Sequence, residues 1–199
     1  MEQRKIARVC VYCGSSSGTR AVYVEQARAL GRTLARRGIG LVYGGGGIGL
    51  MGACAAAVAE ARGEVIGVIP HALALKERLN EVVTDLRIVH TMHERKALMV
   101  ELSDAFIALP GGFGTYDELF ETITWAQLGI HQKPIGVLNV AGYFNPFLAL
   151  VEHTISEGFV LERYRQLMVV AEEIDELLER MFWQQPLEGL VKWLELSET

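Results

Sequence analysis

Two residues of this 199-residue chain carry the side chains that acid–base chemistry on a small anion would need: Arg95 in MHERKALM (92–99) and Glu118 in PGGFGTYDELFETITWAQLG (110–129). Arg95 stands three residues from Met92 and four from Met99, so on a helix it shares their face instead of pointing away from it. An arginine among methionines needs a partner. That partner is either an internal carboxylate or the phosphate or base of a ligand, and the planar guanidinium fork suits both. Glu118 ranks first among the nearby carboxylates and Glu121 second, with Asp117 beside them. A purely structural reading competes. Thr115 to Glu118 reads T-x-x-E, a capping box in which Thr115 caps a helix and Glu118 reaches back to the Thr115 amide.

The capping box does not account for the glycines before it. Three loops are rich in glycine or serine: CGSSSG (13–18), GGGGIGLMG (44–52) and PGGFGT (110–115). Glycine lets a backbone approach a ligand closely, and the start of a following helix adds about half a positive charge, so together the loops suggest a phosphate cradle. Gly47, Gly49 and Gly52 match G-x-G-x-x-G, but the next strand ends in GVIP, without the acid that would hold a dinucleotide's ribose. No G-K-[ST] is present for a nucleoside triphosphate. A nucleoside monophosphate fits best.

These loops share one edge only if particular elements position them. Apolar runs of strand length recur at 6–12, 39–43, 64–69, 87–90, 104–109, 134–140 and 167–171, separated by stretches with helical spacing such as Val24, Ala27, Leu30 and Leu34. Continuous apolar strands alternating with helices predict an α/β fold: a doubly wound, Rossmann-like parallel sheet with helices on both faces. Every strand-to-helix loop then lies at the carboxyl edge, where ligands bind. No linker or repeat interrupts 1–199, which reads as a single domain. Residues 71–86 suggest a short helix and a loop able to serve as a lid, and PLEGLVKWLEL (186–196) a final helix.

A formal charge of −5 with scattered Lys and Arg offers no footprint for nucleic acid or an anionic membrane. No run approaches the ~20 apolar residues of a membrane span, and the N-terminus lacks the pattern of a signal peptide, so a cytoplasmic location is expected. Three cysteines make no disulfide framework; Cys10 and Cys13 form one C-x-x-C at a strand end and read as packed thiols. His90 and His93 form H-x-x-H without a third ligand at a fitting spacing, so they read as polar packing residues and no metal site is expected.

CGSSSG, GGGGIGLMG, GVIP, MHERKALM and PGGFGTYDELFETITWAQLGIHQKPIG together resemble the LOG (Lonely Guy) family of cytokinin riboside 5'-monophosphate phosphoribohydrolases, over residues 8–140 and more loosely to the end. The resemblance implies hydrolysis of the N-glycosidic bond of N6-substituted adenosine monophosphates, and of AMP, to free base and ribose 5-phosphate. It implies Arg95 and Glu118 as the catalytic pair, and phosphate and ribose contacts from Gly14, Ser15, Gly45, Gly46, Gly47, Gly112, Gly114 and Thr115. Met92, Lys96 and Glu121 support them. It implies a homodimer and no cofactor. Relatives have carried a lysine decarboxylase label, but no lysine here stands where a Schiff base would form. Tyr116 departs from the family pattern, which often has Leu there.

Cleaving such a bond develops positive charge on the ribose and negative charge on the purine. Glu118 facing the ribose and Arg95 facing the base would answer both. Two other readings share the loops: a nucleotide or cofactor carrier without turnover, and an AMP nucleosidase with no cytokinin role.

Overall fold

The computed structural model describes residues 3–74 and 82–187. All seven strand-like runs form strands of one parallel sheet: β1 (Arg8–Tyr12), β2 (Gly40–Tyr43), β3 (Val65–Pro70), β4 (Asp85–Val89), β5 (Ala105–Ala108), β6 (Ile135–Leu138) and β7 (Met168–Ala171). Their order is β4-β3-β2-β1-β5-β6-β7. The chain winds outward from β1 in one direction and returns to β1's other side with β5. This reversal opens a crevice at the carboxyl ends of β1 and β5.

The alternation of side chains along each strand explains the two layers. Val9 and Val11 of β1 face one core with α1 (Ala21–Arg36), α2 (Gly49–Glu60) and α7 (Ile174–Trp183). Cys10 and Tyr12 face the other, with α4 (Met92–Glu101), α5 (Phe113–Gln127) and α6 (Asn145–Ser156). The predicted stripe of α1 buries Ala27, Leu30 and Leu34, each leucine stabilising the fold by about 2 kcal/mol. The helix ends where Gly38 N–H donates to Ala35 O and Ile39 N–H to Leu34 O, a Schellman motif whose flanking Leu34 and Ile39 both enter the core.

The alternation also settles the C-x-x-C. Three residues apart on a strand, Cys10 and Cys13 point to opposite faces; both are buried and free, as is Cys54. His90 and His93 correct an expectation. They are exposed at the start of α4 and do not pack, because β4 is an edge strand and ends there in open solvent.

Residues 71–74 form one helical turn, α3 (His71–Ala74). The remainder of the expected lid through 81, and the final helix from 188 onward, lie outside the described residues. No helix among those described is long and apolar enough to cross a membrane.

Candidate active site

The crevice is a cleft of about 280 Å³ lined by Gly14, Ser15, Gly44, Met51, Arg95 and Glu118, with the start of α5 and Leu73 at its border. Loops after β1, β2 and β5 all reach it, as parallel topology requires.

Loop contacts fix its walls. Gly14 N–H donates to Pro110 O at 3.0 Å, joining the first loop to the third. Leu50 and Met51 donate to Gly14 O at 3.0 and 3.3 Å, joining the second to the first. Gly49, at φ +64°, lies so near the first loop that a Cβ there would sit 2.3 Å from the Ser15 carbonyl carbon. The opening amides of α2 are therefore spent on holding the loops together. Gly45 and Gly46 are buried and do not line the cleft, and Gly47 lines the groove between α1 and α2 instead.

The start of α5 differs. Its amides at Phe113, Gly114 and Thr115 have no acceptor among the described residues, and neither have those of Ser15, which lines the cleft opposite, and of Ser16 and Ser17 after it in the same loop. Gly14, Ser15, Gly112 and Gly114 thus stand where unpaired N–H groups and a helix N-terminus converge, which is an anion-binding arrangement. Thr115 is buried beneath it, its Oγ1 filling the place a Cβ of Gly111 would take.

The capping-box expectation for Thr115 and Glu118 fails. Gly112 is the N-cap of α5, which puts Thr115 in the first turn and Glu118 in the second. A T-x-x-E cap does exist elsewhere: Thr91 Oγ1 accepts from Glu94 N–H at 3.1 Å, and Glu94 Oε2 accepts from His90 N–H at 2.8 Å, starting α4. With α4 so fixed, Arg95 turns inward and is 9 % exposed. Its Nε donates to Val68 O at 3.1 Å and its Nη2 to Gly44 O at 3.3 Å, while Nη1 lies 3.8 Å from Met92 Sδ.

Arg95 Nη2 and Glu118 Oε1 are 3.9 Å apart. That is too long for a hydrogen bond, so the pair attracts without closing, and the carboxylate oxygens stay free for a water or a sugar. Burial pushes the Glu118 carboxyl up to about 7, against the opposing pull of Arg95. It can therefore give or take a proton near neutrality. Lys96 bridges Asp117 (3.2 Å) and Glu121 (2.9 Å), fastening α4 to α5. Neither Lys96 nor Glu121 lines the cleft.

Several residues at the cleft escaped the sequence reading, among them Met51, Leu73, Gly44 and Phe113. Gly44 leaves room for Arg95, and Phe113 stands 96 % exposed at the mouth. An aromatic residue between two glycines at the start of a helix is the signal that could have found Phe113.

A family model described as possible lysine decarboxylase matches residues 51–181. The chain is 51% identical over 177 residues to a cytokinin riboside 5'-monophosphate phosphoribohydrolase LOG of Oryza sativa subsp. japonica, covering 89% of this chain and 73% of that protein. It is 50% identical over 181 residues to LOG4 of Arabidopsis thaliana, of the same description, covering 91% and 84%. Among solved structures, the molybdenum cofactor binding protein of Rippkaea orientalis superposes with a TM-score of 0.66 at 20% identity, covering 88% of this chain and 94% of that one. The molybdenum cofactor carrier protein of Chlamydomonas reinhardtii does so with 0.65 at 21%, covering 88% and 99%. At such identity these two structures share the fold alone. Half-identity to curated relatives across nine-tenths of the chain decides the affiliation: this protein belongs to the LOG family of cytokinin riboside 5'-monophosphate phosphoribohydrolases.

Proposed function

We propose that this protein hydrolyses the N-glycosidic bond of N6-substituted adenosine 5'-monophosphates, and of AMP, releasing the free base and ribose 5-phosphate. The single observation that carries the site assignment is the buried, unclosed pair of Arg95 and Glu118 beside a cradle of unpaired amides. A carrier has no need of a carboxylate poised near neutrality next to a fixed guanidinium.

The amides of the serine loop and of the start of α5 hold the 5'-phosphate, and that remote binding energy positions the ribose. Glu118, as carboxylate, faces the developing ribose cation and takes a proton from the attacking water. Arg95 offsets the negative charge that grows on the departing base. No lysine lines the cleft among the described residues, and Lys96 is held in ion pairs, which speaks against Schiff-base chemistry.

The proposal includes a single domain over 1–199, a cytoplasmic location and a homodimer whose partner covers the cleft mouth. Exposed Phe113, and Met92 at 43 % exposure beside Arg95, support the dimer. A fully active monomer by sedimentation would contradict it.

The test is chromatographic detection of free base from isopentenyl-AMP and AMP, by the parent and by Glu118→Gln, with thermal melts on both. Base release by the parent alone, at equal folding, is the expected result. AMP binding without any release by the parent would favour a carrier.

A further inference from the structure

We propose that Tyr143, backed by Tyr116, is a positioning residue: its hydroxyl fixes the Gly111–Gly112 peptide so that the amides opening α5 face the substrate's phosphate. This rests on the nucleotide reading above.

Three successive carbonyls of the third loop are engaged in hydrogen bonds. Pro110 O accepts from Gly14 N–H at 3.0 Å and Gly112 O from Tyr116 N–H at 3.2 Å. Between them, Gly111 O accepts from the Tyr143 hydroxyl. In a trans peptide the C=O and N–H point in opposite directions, so the bond from Tyr143 turns the Gly112 amide away from the tyrosine. A Cβ on Gly112 would meet nothing within 4 Å, whereas Gly111 is packed against Thr115 and Gly14, so the peptide is held by packing on its Gly111 side and by the tyrosine hydroxyl at its carbonyl.

The turn that aims Tyr143 is itself constrained. Ala141 adopts the left-handed conformation, φ 51° and ψ 35°, inside a short 3-10 turn over Val140–Gly142. A non-glycine residue persists there only where its surroundings dictate it, and such strain gathers at functional sites. Asn139, buried, supplies those surroundings: its Nδ2 donates to Asn145 Oδ1 at 2.8 Å and its Oδ1 accepts from Phe144 N–H at 2.8 Å. Tyr23 meets the Tyr143 ring edge-on at 5.7 Å, and Tyr23 and Tyr143 together wall the cavity beyond the serine loop and Gly112. Tyr116 backs Tyr143 through Phe144, whose ring both tyrosines meet edge-on, at 6.1 and 5.1 Å.

Tyr143→Phe removes only the hydroxyl. It is expected to raise the KM for AMP and the Kd of ribose 5-phosphate about tenfold, while kcat for AMP, kcat/KM for adenosine and the melting temperature stay near parental values. Tyr116→Leu is expected to shift the same two constants in the same direction by about threefold. Equal losses on AMP and adenosine, or unchanged ribose 5-phosphate affinity in a folded variant, would overturn the assignment. Should Tyr143→Phe fail to fold, unchanged affinity in Tyr116→Leu does so. Ribose 5-phosphate titration needs no turnover: a parent that releases no base refutes the function, while the titration still decides the role of Tyr143.

Discussion

A Cβ on Gly44 would lie 1.9 Å from Nη2 of Arg95, the nitrogen that also donates to the Gly44 carbonyl. The guanidinium occupies the space any larger residue would need. Because the obstructing atom is the tip of a flexible side chain, the backbone can keep its course if the arginine swings away. Gly44→Ala is therefore expected to leave the melting temperature nearly unchanged while lowering kcat/KM for AMP roughly 100-fold through misplacement of Arg95. Steady-state base release measured beside thermal melts checks this. Full activity in the variant would show that the placement of Arg95 is dispensable.

Glu118 links the site to stability. Burial raises its carboxyl from 4.5 to about 7. Between those values the folded protein keeps a proton that the unfolded chain has lost, so stability declines as pH rises through the interval. Above it the whole cost of the buried charge is present, about 3 kcal/mol. Glu118→Gln escapes that cost. Its melting temperature should exceed the parent's at pH 8, and the gap should close towards pH 4.5. A gap independent of pH would mean that the carboxyl titrates normally.

The fold was legible because buried parallel strands read as apolar runs, as β1, β2, β3, β5 and β6 do; the edge strand β4, half exposed and carrying Asp85 and Arg87, showed only in its last residues. Arg95 and Glu118 were legible as residue types in glycine-rich surroundings, and their distance was not. T-x-x-E shows why: Thr91–Glu94 and Thr115–Glu118 are the same pattern, yet only the first caps a helix. The glycines before Thr115 let α5 begin three residues earlier than a Thr115 cap would, and carry Glu118 into the cleft. Gly45, Gly46 and Gly47 show the reverse error. Their composition suggests a cradle, but the amides that open α2 close onto Gly14, a contact between loops more than thirty residues apart that no local pattern encodes.

Cys10, Cys13 and Cys54 are buried, and desolvation raises all three thiols, Cys54 to about 12. A thiol reagent at pH 8 is expected to modify none of them in the native protein within minutes and all three on unfolding in guanidinium. Rapid labelling of native Cys10 or Cys13 would reopen a redox role for C-x-x-C.

The charges around Glu118 set the pH at which the site works. Arg95 and Lys96 lower its carboxyl, whereas Asp117 and Glu121 raise it. If the carboxylate is the active form, kcat/KM for AMP rises with pH along an acid limb near 7, the property of the free enzyme. Lys96→Met removes a cation and leaves Asp117 and Glu121 unneutralised, so it should move the limb to higher pH. Asp117→Asn removes an anion and should move it lower. Both side chains lie outside the cleft lining, so neither change should abolish turnover at the optimum. Opposite displacements of one limb by two substitutions on the same ion-pair cluster would identify the titrating group as Glu118. A limb that stays in place in both variants would assign it to the substrate's phosphate instead.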